Sequence, residues 1–417
     1  MASVVFALVV QVPNKLIQIL TMLSNVIDTR RQFYEQYKDI FCWYDVDNYA
    51  CYDVLEVAPS TIERVRRAAA SVWQVLTKAG EVMKRFDDQT LVEEFDYPEE
   101  TLRLIRSNTQ APFIARCDFA LTDDDIYLLE CNAEVATFVV ETFKMNGIVV
   151  NHFGKADPNI NAESVLKREL NKYIEESARY LDKAPDECNI VFAALSKAPE
   201  DIGTVEYLRS LCKYSSRFCA VENLEMDEDY CYDDTGEIVD VIYRIYPTEW
   251  MVSDEDPKLG VGLWNYFEPL IYARKVALIN PVSSFVLQNK ALMALITELG
   301  SDFFSTDGLD CRNFLPTFMA PDQIKPPYVA KPTWGREGRE VQIIKGADEV
   351  ITNPDPEYTH YAKVYQQYVD LPCAFTEGEE YKLQLSCFLI NGIPEGVAAR
   401  IGKDVISNNS KFIPIGY

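Results

Sequence analysis

The stretch Arg116-Cys117-Asp118-Phe119-Ala120-Leu121-Thr122-Asp123-Asp124-Asp125-Ile126-Tyr127-Leu128-Leu129-Glu130-Cys131-Asn132 decides how this chain reads. Two apolar-rich segments, 111–120 and 126–133, flank an acidic turn and read as a hairpin. With the three aspartates as the loop, Thr122 faces Ile126. Asp118 then faces Glu130 and Arg116 faces Asn132, because residues two apart on a strand share a face. Opposed residues have Cβ atoms only about 4.5–5.5 Å apart. Two carboxylates at that spacing repel unless a cation or a shared proton lies between them. The Asn132 carbonyl completes a set of hard oxygen donors, the kind that binds Mg²⁺ alongside nucleotide phosphates. Arg116 on the same face can stabilise charge developing on a transferring phosphoryl group. A solvated hairpin with alternating polar residues fits the same pattern. Cys117 and Cys131 point to the opposite face and read as core.

Upstream, the first hundred residues read mostly helical. Ser60-Thr61-Ile62-Glu63 has the form of a capping box, and Ile62, Val65, Ala69, Val72, Trp73 and Leu76 follow at helical spacing. Downstream come a charged helix (162–181), a strand (189–195), a helix (204–212) and strands at 218–221 and 238–245. This alternation predicts an α/β layer. Asn280-Pro281 reads as a boundary. Gln288-Asn289-Lys290 opens an apolar helix, and from Pro326 onward the chain is strand-rich. Strands 381–390 and 396–401 are joined by the turn Asn391-Gly392. The expected fold class is α/β (α+β), in three parts: a helical region (1–110), an α/β part carrying the hairpin (111–280) and a strand-rich part (281–417).

Composition narrows the function classes. At roughly 150 residues per domain, 417 residues suggest two or three domains. The balance of 40 Lys and Arg against 65 Asp and Glu gives a net charge of −25. Such a surface repels nucleic acid and anionic lipid, so neither is an expected partner. Two histidines, His152 and His360, disfavour a multi-histidine metal site. Eleven cysteines without C-x-x-C spacing and with no secretory leader read as reduced thiols of a cytoplasmic protein. The apolar run 2–12 lacks a basic flank, is closed by Pro13 and is too short to cross a bilayer. A buried strand or helix start is expected there. Nothing in the composition sets the oligomeric state.

A second constellation is Lys331-Pro332-Thr333-Trp334-Gly335-Arg336-Glu337-Gly338. Gly335 and Gly338 permit a backbone that closes over phosphates, and Lys331 and Arg336 bring positive charge. It is not a P-loop, since no Gly-Lys-Ser/Thr follows. A plain basic hairpin fits it too. Lys290 and Arg400 are candidate phosphate contacts, and each also fits a solvated side chain. The strand Tyr365-Gln366-Gln367-Tyr368-Val369 offers edge backbone groups to a purine. Glu200, Asp201 and Glu249 suit a cationic amine or simply a solvated acidic surface.

The order of these pieces is informative. Arg116-x-Asp118, Glu130-Cys131-Asn132-Ala133-Glu134, Glu249-Trp250, Asn289-Lys290, the Lys331–Gly338 segment, Tyr365-Gln366-Gln367 and Arg400 occur in one succession. It resembles the synthetase part of the glutathionylspermidine synthase family, a branch of the ATP-grasp ligases, over roughly residues 30–417. The resemblance implies an ATP-grasp-like fold with mixed sheets around a nucleotide cleft. It implies ATP and Mg²⁺ as cofactors and a carbon–nitrogen ligase that activates a carboxylate as an acyl phosphate and joins it to an amine. Carried over, Asp118, Glu130 and Asn132 would hold Mg²⁺, and Arg116, Arg336 and Arg400 would be catalytic. Lys290, Lys331, Gly335, Glu337, Gly338, Gln366, Gln367, Tyr368 and Val369 would bind ATP, with the Arg336 loop closing as a lid. Val135, Glu200, Asp201, Glu249 and Trp250 would face the substrates, a peptide such as glutathione and a polyamine such as spermidine. No counterpart of the amidase domain of bifunctional members is expected here. One departure concerns substrate. The family pattern after the metal asparagine is Ala-Asp-Thr-Pro-Thr, and here it is Ala133-Glu134-Val135-Ala136-Thr137, with Val135 where a hydroxyl would contact the peptide. The same chemistry on another carboxylate and amine therefore stays open, as does a catalytically silent Mg-ATP-binding protein.

Overall fold

Pro59 rather than Ser60 starts the first long helix, α1 (Pro59–Met83), in a computed structural model that describes residues 29–107, 110–255, 260–407 and 409–417. Ala58 is the N-cap and makes no side-chain bond, so the expected capping box is absent. Proline's preset φ and missing N–H favour the first helical position. The apolar stripe forms as expected, with Ile62, Val65, Ala69, Val72 and Leu76 buried. The run 2–12 lies outside the described residues.

The hairpin follows as β1 (Ile114–Leu121) and β2 (Ile126–Asn132). Its register corrects the three-residue loop. Leu121, not Thr122, pairs with Ile126, and the turn is closed by Thr122 N–H donating to the Asp125 carbonyl at 2.9 Å. A register shift between Asp118 and Phe119 leaves Leu129 as an extra residue on β2. The bulge offsets the longer turn, so Asp118 still opposes Glu130 and Arg116 still opposes Asn132.

Helix α2 (Ala162–Tyr180) leads to a parallel sheet: β3 (Ile190–Ala194), β4 (Ser216–Ala220), β5 (Val241–Ile245) and β6 (Ala277–Ile279), in the order β4-β3-β5-β6. Between β3 and β4 runs α3 (Pro199–Leu211), which starts five residues before the expected 204, again at a proline. Glu200 and Asp201 therefore lie in its first turn.

Helix α4 (Ala291–Ser305), capped by Lys290, introduces a five-stranded antiparallel sheet. Its members are β7 (Thr317–Phe318), β8 (Tyr328–Pro332), β9 (Val341–Gly346), β10 (Glu349–Asn353) and β11 (Lys363–Gln367), in the order β7-β11-β8-β9-β10. Finally β12 (Cys373–Thr376), β13 (Glu379–Ile390), β14 (Ile393–Gly402) and β15 (Lys411–Phe412) join the hairpin in a six-stranded sheet ordered β15-β14-β13-β1-β2, with β12 on β13. The β13–β14 turn has Asn391 at φ 50° and Gly392 at φ 76°, the left-handed pair a two-residue hairpin needs.

The six-stranded sheet is covered on both faces. Ala115, Cys117 and Phe119 pack with α1 and α4 through Val72, Leu292 and Leu295. Ile114, Phe388 and Ile390 pack with α2 and the parallel sheet through Leu170, Phe192 and Tyr243. Strand alternation thus sends Cys117 into one core and turns Arg116 and Asp118 to the other side.

Candidate active site

On that second face Arg116 clasps Asp118. Its Nε and Nη2 donate to Oδ1 and Oδ2 at 2.9 Å each, while Nη1 donates to the Thr137 carbonyl at 2.9 Å. Asp118 is completely buried, and Asn132 Nδ2 reaches its Oδ2 at 3.3 Å. Opposite, Glu130 is 28% exposed and pairs with Lys290 Nζ at 3.1 Å. Burial pushes the Glu130 carboxyl up, but Lys290, Lys331 and Arg116 outweigh it and hold the group well below the usual carboxylate range. Lys331 Nζ donates to Gln366 Oε1 at 2.7 Å and to the Leu129 carbonyl at 3.1 Å. Burial lowers this ammonium to about 8, against the opposing pull of Glu130.

A cavity of about 870 Å³ opens beside these lysines. Val329, Ile343, Val369 and Leu371 make apolar walls, and Lys290, Lys331 and Arg339 line its charged part. The purine-edge expectation for 365–369 needs correcting. Strand β11 lies between β7 and β8, so it has no free edge. The Gln367 and Tyr368 N–H groups donate to the carbonyls of Pro316 and Pro327 at 2.9 and 3.2 Å. Gln366 is buried, and its side chain serves Lys331 and Thr317.

A second cavity, about 1600 Å³, lies on the other side of Glu130. Glu130, Gly338, Arg339, Gln384 and Ile406 line both. This chamber gathers Arg116, Asn132, Val135, Glu200, Asp201, Trp250, Arg336, Glu337 and Arg400 from distant parts of the chain. Burial lifts Glu200 and Asp201 to about 7 each. Glu141 and Asp201 add to the rise at Glu200, and Glu337 adds at Asp201. Val135 contributes an apolar wall and also packs in the second core. Arg400 Nη2 donates to the Ser407 carbonyl at 2.7 Å.

The segment between β8 and β9 is seated firmly. Trp334 stacks on Phe285 at 3.9 Å, and its Nε1 donates to the Asp96 carbonyl at 2.6 Å. Lys290 Nζ donates to the Gly335 carbonyl at 2.6 Å. Gly338 has φ 65°, and a Cβ there would meet the Ile406 carbonyl at 2.6 Å. Arg336 pairs with Glu249 Oε1 at 2.7 Å and with Glu134 Oε2 at 3.6 Å. Glu134 in turn bonds Arg244 and the Thr248 hydroxyl. Glu249 is buried, does not line the chamber and spends its Oε1 on Arg336. The expectation that it meets a cationic substrate is therefore corrected: it meets an arginine of the chain.

Glu130 and Asn132 open onto the chamber, with Asp118 behind them. Two carboxylates and an amide oxygen are all hard donors, and the set fits a small divalent cation in kind. Among the described residues no three His, Cys, Asp or Glu side chains form a metal cluster. All eleven cysteines are free, and Cys117 and Cys131 face each other in the core with 3.7 Å between sulfurs.

Residues 28–416 match the family described as glutathionylspermidine synthase preATP-grasp. This chain belongs to the glutathionylspermidine synthase family. Membership makes it a synthetase-type carbon–nitrogen ligase of ATP-using, small-molecule chemistry in the general sense. The fold is ATP-grasp-like. A glutathione synthetase-like effector (GSS30) from Globodera pallida, solved in apo form, aligns over 87% of this chain and 88% of its own, with 12% identity and a TM-score of 0.52. A putative gamma-glutamylcysteine synthetase from Methylobacillus flagellatus KT aligns over 84% and 88%, with 10% identity and a TM-score of 0.44. No helix among the described residues is long and apolar enough to cross a membrane.

Several residues of this family member's chamber carried no signal of their own in the sequence: Trp43, Tyr49, Thr137, Glu141, Arg339 and Gln384. Trp43 and Tyr49 sit in an aromatic-dense stretch that reads as core. Only Gly203 of α3, whose missing Cβ would lie 2.2 Å from the Trp43 ring, lets that indole approach.

Proposed function

We propose that this chain is an ATP- and Mg²⁺-dependent ligase that forms an amide between a peptide-like carboxylate and a cationic amine. The observation that carries the reading is the meeting of two cavities at Glu130, one lysine-lined with apolar walls and one acidic. Lys290 and Lys331 would hold phosphates in the first. Asp118, Glu130 and Asn132 would hold Mg²⁺, which supplies neutralisation of phosphate charge when bound. Arg116 orients Asp118 through two hydrogen bonds, one to each carboxylate oxygen. The carboxylate substrate would take the γ-phosphoryl group, breaking the bond to ADP and forming an acyl phosphate. The amine would then displace phosphate and form the amide. An ammonium must shed a proton before it attacks, and Glu200 and Asp201, titrating near 7, are suited to accept it. The pinned Arg336 segment would flank the phosphates through Gly335 and Gly338, and Val369, with Val329, Ile343 and Leu371, would offer the base apolar surface. Arg400 would contact the phosphoryl or acyl phosphate oxygens. The catalysis asked of the chain is positioning and charge stabilisation.

Glutathione and spermidine are the first substrates to try. Val135 supports a second reading, the same chemistry on another peptide or amino-acid carboxylate, because its side chain cannot hydrogen-bond to the peptide. The test is ADP release with Mg-ATP in a matrix of carboxylates and amines, with amide product identified by mass. Release requiring one carboxylate and one amine, and abolished by chelation, supports the ligase. Mg-ATP binding without ADP release in any mixture would instead mark a silent nucleotide-binding protein.

A further inference from the structure

Glu141 occupies a π-helical turn, Glu141–Met145, and its side chain lines the larger cavity although only 2% of the residue is exposed. Its Oε1 accepts two hydrogen bonds at 2.8 Å, from Trp43 Nε1 and from the Tyr49 hydroxyl. Its Oε2 is buried and has no hydrogen-bond partner among the described residues. A buried carboxylate oxygen left unmatched is costly, and the natural remedy is a cation that donates to it.

The surroundings favour an alkylammonium. Glu200 and Asp201 line the same cavity and add negative potential. Trp43, Tyr49 and Phe138 contribute ring surface, which attracts ammonium groups and covers methylene chains. The nearby cation of the chain, Arg400, is turned to the Ser407 carbonyl and sits over the Phe138 ring, 5.8 Å from its centroid. Burial raises the Glu141 carboxyl, with Trp43, Tyr49 and Arg400 opposing.

We propose that Glu141, framed by Trp43 and Tyr49, is a subsite for the second, non-reacting ammonium of a diamine or polyamine substrate. The inference rests on the ligase reading and adds to it the residue that selects for charge at the far end of the amine. Glu141 is a specificity residue here, while the reacting end lies toward Glu130.

The test compares wild type with E141Q, because a glutamine oxygen can still accept from Trp43 and Tyr49. Binding of 1,4-diaminobutane and of butylamine is measured by calorimetry, and KM and kcat are measured for whichever carboxylate supports ADP release. E141Q should weaken diaminobutane binding ten-fold or more, raise its KM with little change in kcat, and leave butylamine unaffected. Equal effects on both amines, or none on either, overturn the subsite. Absence of saturable diaminobutane binding to wild type also overturns it. If no carboxylate supports turnover but calorimetry shows the selective loss in E141Q, the subsite stands and the ligase reading fails.

Discussion

At the residue scale, the two candidate metal carboxylates differ in what else they do. Asp118 is buried and clasped by Arg116, so an Asp118→Asn change leaves a buried guanidinium without its counter-charge. Breaking such a pair costs about 3–5 kcal/mol. Asp118→Asn should therefore lose both turnover and thermal stability, checked by activity and by scanning calorimetry. Glu130 is 28% exposed. Glu130→Gln should lose turnover with a smaller fall in melting temperature, because Lys290 loses its ion-pair partner but keeps the Gly335 carbonyl. A fall in Tm equal to that of Asp118→Asn would contradict the division of roles. Lys331 sets an upper pH limit. It is charged below about 8 and neutral above, so KM for ATP should rise as pH passes 8. Lys331→Arg should move that rise upward, because a guanidinium does not titrate in this range. The residue types in this group were legible in the sequence, since strand alternation and cross-strand pairing need only local rules. What Glu249 binds was not legible, because its partner Arg336 is brought to it by the fold.

At the scale of elements, close approaches set the chamber's shape. A Cβ on Gly203 would penetrate the Trp43 ring. Gly203→Ala should cost about 1–3 kcal/mol through overpacking and displace Trp43 from Glu141. Its kinetic signature should be a higher KM for the amine with ATP affinity unchanged, since α3 does not line the lysine-lined cavity proposed for ATP. The first turn of α3 also makes amine binding depend on pH. Glu200 and Asp201 titrate near 7. Glu141, Glu337 and Asp47 share their chamber with Arg116, Arg336, Arg339 and Arg400. Affinity for a cationic amine should increase as pH rises through 7 and these carboxyls ionise. The sign for stability is opposite. Between about 4.5 and 7 the folded chain keeps protons that the unfolded chain has lost, so these two groups make the fold less stable as pH rises through that window. Amine binding and thermal unfolding measured from pH 5.5 to 8, in wild type and in Glu200→Gln, check the two statements in turn. Helix starts illustrate the limits of local reading. Ser60-Thr61-Ile62-Glu63 matches a capping box, yet Pro59 begins α1 one residue earlier and the box never forms.

At the scale of the whole molecule, the two cavities are walled by elements from the full length of the chain. A ligand in the lysine-lined cavity would tie β2, Lys290 at the start of α4, β8, β11 and the 405–406 segment together. Mg-ATP at 100 times its dissociation constant should stabilise the fold by about 2.7 kcal/mol, read as a rise in Tm that chelation reverses. The cores explain why the link is tight: α1, α4, β1 and β13 share one cluster, and β1, α2, β3 and β14 share another.

The amino-acid sequence by itself determined the fold class, the facing of Asp118 with Glu130 and of Arg116 with Asn132, the Asn391-Gly392 turn and the family. All of these follow from short-range periodicity, turn chemistry and the order of motifs along the chain. Tertiary structure alone decided that β11 is an interior strand, that Glu249 meets Arg336, and that a bulge at Leu129 rescues the register of a turn one residue longer than expected. It also decided that Glu141 and Trp43, ninety-eight positions apart, share a hydrogen bond at the wall of the chamber. These are contacts between distant segments. Their energies depend on which surfaces packing brings together and which charges it removes from water, and neither quantity is carried by any local stretch of residues.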